Sequence, residues 1–279
     1  MRKLGITIGA IVFAVVLSSC GVQLSNDMAA DLVAKTVVGA TQISPSSDSM
    51  GMFALSTLWE DWGIEYSEVT NADGSITISF SYDGFSMTTT VWERSYADNW
   101  ASEKFEFSMS GTEGGKTYSI SMDTDMNERF LLNGDILPVT DDNSFWDASF
   151  EADEFHIYAS FDMSAKEGSE TYTFKGKYGE SKSKPFKYKE TDTTTTLNGV
   201  VSYNVTTSEF DDAFVYFDYK NVTLSYFGYP NGTVNGYVKA DNEEVSFKLI
   251  FNGTVFATLE VGNDKYSINI MTGSYSKIS

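Results

Sequence analysis

Few side chains in this 279-residue sequence are equipped for chemistry. There is one histidine, His156, and one cysteine, Cys20. His156 lies between Phe155 and Ile157 in an alternating stretch. Strand parity therefore groups it with Tyr158, Ser160 and Asp162 on the polar side. A general base needs an orienting partner and a nucleophile within reach, and no nucleophile motif occurs in the chain. The histidine reads as solvated or surface-paired. One histidine and one cysteine fall short of a zinc ligand set, and there is no phosphate loop or glycine-rich nucleotide fingerprint. No cofactor is expected.

Two further groupings are chemically suggestive. Asp123-x-Asp125-x-Asn127 begins like an EF-hand loop, which makes these three the calcium candidates. The pattern then departs: Glu128 stands where the turn glycine belongs and Gly134 where the closing bidentate glutamate belongs. The run Thr140-Asp141-Asp142-Asn143 could contribute from a neighbouring loop, although acidic loop tips are commonplace on an acidic protein. The stretch TLWEDWGIEY sets Trp59, Trp62 and Tyr66 among Glu60, Asp61 and Glu65, the residue types of a carbohydrate contact. The i, i+3 spacing of the two tryptophans equally fits a helix packing on a sheet.

The setting of Cys20 is more specific. Met1-Arg2-Lys3 is positive, Leu4 to Leu17 is an apolar run of 14 residues, and Ser18-Ser19 precede the cysteine. That order is a secretory signal. The run is too short for a permanent span of a bilayer, which takes roughly 20 residues. Leu17-Ser18-Ser19-Cys20 resembles the lipobox of bacterial lipoproteins. The resemblance implies cleavage between Ser19 and Cys20 and acylation of Cys20, so that the mature protein meets the membrane through its N-terminal acyl chains. Two or three chains anchor stably, because each buried CH₂ contributes about 0.8 kcal/mol. Gly21, rather than aspartate, after the cysteine implies delivery to the outer membrane, with the periplasmic or surface side open.

Removal of residues 1–19 leaves 17 basic against 39 acidic side chains. Such a surface repels phosphate, so nucleic acid is not an expected partner. With no second cysteine, an intrachain disulfide is impossible.

The elements follow from periodicity. Residues 25–41 predict a short helix capped by Asn26 or Asp27, with Met28, Leu32, Val33 and Val37 towards one side and Gly39 as its stop. Met52, Leu55, Leu58, Trp59 and Trp62 predict a second. From Ile64 onward period two takes over. Residues 20–50 thus read as a lipid-anchored tether containing a short helix, and residues 51–279 as one antiparallel β domain.

Hairpins follow from the apolar faces. A turn at Asp83-Gly84 sets Phe80 against Met87. With a loop at Thr112-Glu113-Gly114-Gly115, Phe105, Phe107 and Met109 should lie against Tyr118, Ile120 and Met122, and Phe155, Ile157, Ala159, Phe161 and Met163 can face Tyr172, Phe174 and Tyr178 across a loop near residues 166–169. Between residues 245 and 261 a two-residue turn would split the apolar faces, so a three-residue loop, Asn252-Gly253-Thr254, is predicted with Gly253 left-handed. Asn231-Gly232 is expected to turn and Gly236 to lie within a strand.

The sum is about a dozen strands: an all-β fold, a long antiparallel meander curled into a barrel, half-barrel or two-layer sheet, with one or two short N-terminal helices. Three functions fit. The first is a non-enzymatic, lipid-anchored envelope protein whose acidic β-domain has an interaction or structural role. The second is a carrier of a hydrophobic ligand or lipid, since a helix-covered meander resembles, in architecture alone, the half-barrel of lipoprotein carriers in the LolA/LolB group. The third is a carbohydrate-binding or carbohydrate-active protein.

Overall fold

Apolar residues at every second position give a strand one buried face, and short polar loops make consecutive strands neighbours. The computed structural model describes residues 24–42, 66–82, 85–113, 116–167, 170–206, 212–225, 229–240 and 243–279. The strands are β1 (Tyr66–Thr70), β2 (Ile76–Tyr82), β3 (Phe85–Val91), β4 (Ser95–Ala97), β5 (Trp100–Glu113), β6 (Lys116–Leu132), β7 (Asp135–Ile136), β8 (Glu154–Glu167), β9 (Glu170–Tyr178), β10 (Phe186–Glu190), β11 (Thr194–Thr206), β12 (Ala213–Ser225), β13 (Asn231–Ala240), β14 (Glu243–Asn252), β15 (Phe256–Val261), β16 (Asp264–Asn269) and β17 (Tyr275–Lys277). All 17 join one antiparallel sheet.

The strands outnumber the expected dozen partly because two of them are interrupted. β4 continues β3 along β5, and β10 continues β9 between β8 and β11. The sheet is not a clean barrel. Among the described residues β1 pairs only with β2, and β17 only with β16.

The expected register holds at the first hairpin, where Phe80 pairs with Met87. At the second the apolar sets share a face as expected, but the ladder runs on to Glu113 and Lys116, so Met109 lies opposite Ile120 rather than Tyr118. At the third Met163 pairs with Phe174 and Ala159 with Tyr178, within the expected sets. The Asp83-Gly84 turn itself lies outside the described residues. Two loops need correction. The β14–β15 loop has three residues, but they are Gly253-Thr254-Val255, so Val255 leaves the apolar face and Phe251 pairs with Ala257. The Thr254 hydroxyl closes this loop, accepting from the Phe256 amide at 3.2 Å and donating to the Asn252 side chain at 2.6 Å. Gly253 is left-handed, at φ 75°. Asn231-Gly232 is not the turn; both residues already pair in the β13–β14 ladder. Gly232, at φ 131°, is needed there because a Cβ would press to 3.1 Å from Val222 Cα. Gly236 does lie within a strand, where a Cβ would collide with the Tyr216 carbonyl oxygen and the Phe247 ring.

Both described helices cover the same face of the sheet. α1 (Asn26–Gln42) is capped by Ser25, whose hydroxyl accepts from the Met28 amide at 3.2 Å, and it runs past Gly39. The expected caps are engaged elsewhere: Asn26 donates to Asp264 at 2.9 Å, and Asp27 accepts from the Tyr266 hydroxyl at 2.6 Å. Ala29, Ala30, Val33, Ala34 and Val37 are fully buried, and the helix packs on β12, β13 and β15–β17. This part of the expected tether therefore belongs to the core. Its alanines let the helix axis approach the sheet closely, which a face of leucines alone would prevent.

α2 (Asp142–Glu151) is unanticipated. Asp141 caps it and accepts from the Ser144 amide at 2.8 Å, while the Ser144 hydroxyl accepts from the Asp141 amide at 3.0 Å. Its Phe145 packs edge-on against Phe130, with ring centroids 5.1 Å apart, and the Arg94 guanidinium lies over the Phe145 ring, 3.9 Å from its centroid. The remaining expected helix, Met52–Trp62, lies outside the described residues. Among the described residues no helix is long and apolar enough to cross a membrane.

Candidate functional site

The face of the sheet opposite the helices bears the polar residues, and on six neighbouring strands these line a trough of about 600 Å³. Its order follows from register. One cross-strand row runs Tyr237, Tyr216, Ser202, Lys177, Ser160, Asp125, each residue directly opposite the next. A parallel row runs Phe214, Asn204, Lys175, Asp162, Asp123. Aromatic rings thus form one wall and carboxylates the other, with small side chains and two lysines between them.

β12 explains the aromatic wall. Its residues Ala213, Val215, Phe217 and Tyr219 are buried beneath the sheet, yet Phe214 and Tyr216 on the opposite parity are also aromatic and half-buried. Tyr216 stacks on its cross-strand partner Tyr237, with centroids 4.9 Å apart and planes 16° apart, and Phe214 lies 5.8 Å from Tyr237. Burial raises the Tyr216 phenol above its usual pKa, and the charges of Glu180 and Asp218 add to this. The hydroxyl therefore stays protonated and able to donate.

In the polar half, Lys175 pairs with Asp162 at 2.6 Å, and the Lys177 ammonium lies 5.2 Å from the Tyr158 ring. Among the described residues the side chains of Asp123, Asp125, Ser160, Ser202 and Asn204 have no hydrogen-bond partner. They are solvated groups lining a cavity, which is how a site for a polar ligand is furnished. Glu180 reaches in from the segment that interrupts β9 and β10, where it pairs with Lys184 at 2.8 Å.

The calcium candidates need correction. Asp123, Asp125 and Asn127 lie on an extended strand rather than in a loop. Alternate strand residues are about 7 Å apart, whereas calcium ligands converge at about 2.4 Å from one ion. Among the described residues no three histidine, cysteine or acidic side chains gather to hold a metal. Asn127 is engaged with Ser102 and the Tyr158 carbonyl, while Asp123 and Asp125 line the trough. Of the expected sugar contacts, Tyr66 is an exposed residue on the edge strand β1, 43% accessible and away from the trough, and Trp59 and Trp62 lie outside the described residues. Cys20 and Ser19 also lie outside them.

His156 is surface-paired, as its parity predicts. Its Nε2 is 2.7 Å from Glu154 Oε1, beside Lys187 and Lys189, and it does not line the trough. Burial is the largest influence on it and lowers its pKa below 6.5; the bond to Glu154 opposes this without reversing it. A base with a depressed folded-state pKa binds fewer protons folded than unfolded, so stability rises with pH across that window. The thermal midpoint is therefore expected to be level above about pH 7 and to fall as the pH drops through 6.5 and below. As His156 is the only histidine, His156→Gln should remove the step, read by thermal melts of both proteins across pH 5–8.

The trough was missed in the sequence because its residues are distant in the chain and were each assigned to a generic polar face. One signal was present: Phe214 and Tyr216 are aromatics on the parity opposite the apolar set of their strand. No protein-family model matches this chain, and no curated protein or solved structure matches it either.

Proposed function

We propose that this chain is a non-enzymatic, lipid-anchored protein of the bacterial envelope whose β-domain binds a polar ligand in the trough. The observation that carries the binding role is a trough whose Asp123, Asp125, Ser160, Ser202 and Asn204 side chains make no hydrogen bond among the described residues, beside a half-buried aromatic wall. The lipobox Leu17-Ser18-Ser19-Cys20 supports the anchor, and Gly21 supports the outer membrane. A non-enzymatic role is favoured by the engagement of the one histidine with Glu154, away from the trough. Intact-mass measurement of protein extracted from native membranes tests the proposal. The expected species starts at Cys20, carries acyl chains and brings a polar ligand with it. A species still carrying residues 1–19 with an unmodified thiol would overturn the anchor.

A second reading, carriage of a hydrophobic ligand, is favoured by one observation. On the helix-bearing face of β2, β5 and β6, Ile78, Phe80, Phe107, Met109, Ile120 and Met122 are only half-buried. By contrast, Leu249, Leu259 and Ile268 on the same face beneath α1 are fully buried. A lipid in place of a polar ligand in the mass measurement would favour this reading.

A further inference from the structure

We infer that the trough is a subsite for a neutral oligosaccharide, an inference that rests on the binding role proposed above and names its ligand class. The aromatic wall supplies the first half of the argument. A pyranose ring has one face of C–H groups, which is apolar and weakly positive, and it packs on the negative face of an aromatic ring. Tyr216 stacks on Tyr237, and its cross-strand partner on the other side is Ser202. That small side chain leaves the second face of the Tyr216 ring approachable from the trough.

The polar lining supplies the second half. A sugar hydroxyl both donates and accepts. The carboxylates of Asp123 and Asp125, which make no hydrogen bond among the described residues, accept in charge-assisted bonds, which are about twice as strong as neutral ones. Lys177 donates, while Ser160, Ser202 and Asn204 can do either. Charge decides against the alternatives. Asp123, Asp125, Asp162 and Glu180 would repel a phosphorylated or acidic ligand, and Lys175 and Lys177 sit centrally where a polycation would have to lie. Mixed signs around uncharged hydroxyl and amide groups suit a neutral polyol. Size favours a chain over a single sugar: from β13 to β6 the lining crosses five strand spacings, about 24 Å.

The test is calorimetric titration of the mature, detergent-solubilised protein with cellohexaose, maltohexaose, laminarihexaose, xylohexaose and mannohexaose. Decalysine serves as a charged comparison. Measurements are made near 0.1 M and 1 M salt, between which the screening length falls from about 10 to about 3 Å. At least one oligosaccharide is expected to bind with an affinity that changes less than about twofold with salt, as its recognition is not ionic. Tyr216→Ala should weaken it about tenfold or more, equivalent to about 1.4 kcal/mol, whereas Tyr216→Phe, which keeps the ring, should stay within about twofold. Ser202→Trp, which fills the floor, should abolish binding independently of whether Tyr216→Ala folds. Binding that survives both Tyr216→Ala and Ser202→Trp would overturn the assignment. Binding of decalysine alone, lost at high salt and in Asp125→Asn, would overturn the sugar and leave the trough a binding site. No binding of either probe, with no co-purifying polar ligand, would overturn both.

Discussion

Val33→Asp is expected to lower the free energy of unfolding by about 3–5 kcal/mol, the range for a buried charge left without a partner. Against the roughly 5–15 kcal/mol that separates most folded domains from their unfolded chains, that is a large fraction. Val33 has no accessible surface and lies in the helix that packs on β12, β13 and β15–β17. The only polar side chain fully described among its buried helical neighbours from Ala29 to Val37, apart from Asp31, is Thr36, whose hydroxyl already donates to the Leu32 carbonyl at 2.7 Å. An aspartate there would enter the apolar core that the helix shares with strand residues including Leu259 and Ile268, whose side chains carry no donor. Urea denaturation of wild type and variant measures the difference. A helix that merely decorated a tether would give a change within about 0.5 kcal/mol, so a silent substitution would contradict the packing described above.

Phe217→Ala is expected to cost about 3–5 kcal/mol, towards the upper end of that range, because the site is poorly able to collapse. Phe217 is fully buried on β12, edge-on to Phe247 at 5.4 Å and to Tyr203 at 6.1 Å. Its cross-strand partner is Gly236, which has no side chain to move into the gap. The Tyr216 carbonyl lies too close to Gly236 for that glycine to be replaced, so the cavity cannot be filled from that side either. The measurement is again the urea midpoint, with the slope of the transition unchanged if the effect is on stability alone. Because Phe217 points away from the trough, oligosaccharide affinity of the folded fraction should stay within about twofold of wild type, which separates loss of fold from loss of site.

How much of this was legible in the sequence depended on the range of the signal. The shared faces were legible, and so was the pairing of Phe80 with Met87, because a slip of one residue would put the apolar sets on opposite sides. A slip of two leaves parity unchanged, which is why Met109 meets Ile120 rather than the expected Tyr118. The β14–β15 loop was legible in length but not in position, since a hydroxyl bond from Thr254, invisible to parity, decides which three residues form it. Helix α2 was missed because its ten residues are rich in Asp, Asn and Ser and read as loop. Asp141 and Ser144 three apart, followed by Phe145 and Ala148, were a start signal that was passed over. Burial of α1 was only partly legible: Leu32, Val33 and Val37 announced one apolar side, but Ala29, Ala30 and Ala34 gave no sign that the sheet would approach them too. The trough was the least legible of all. Tyr237 and Asp125 are 112 positions apart in the chain, and only the order of strands brings them into one row.

The hydrogen bond from the Leu24 amide to Glu243, at 2.7 Å, has a mechanical consequence. Under the proposed acylation of Cys20, only four chain steps separate the lipids from this fixed point, a reach of about 14 Å at full extension. The mooring is therefore short. Asp264 and Lys277, which pair at 2.9 Å beside the start of the helix, would ride close against the head groups. A long cable lets a body tumble through every heading, whereas a short one fastened at a rigid corner restricts it to a few. The trough would then be presented at a set height and bearing above the bilayer, and its encounters with ligand would become a problem in two dimensions.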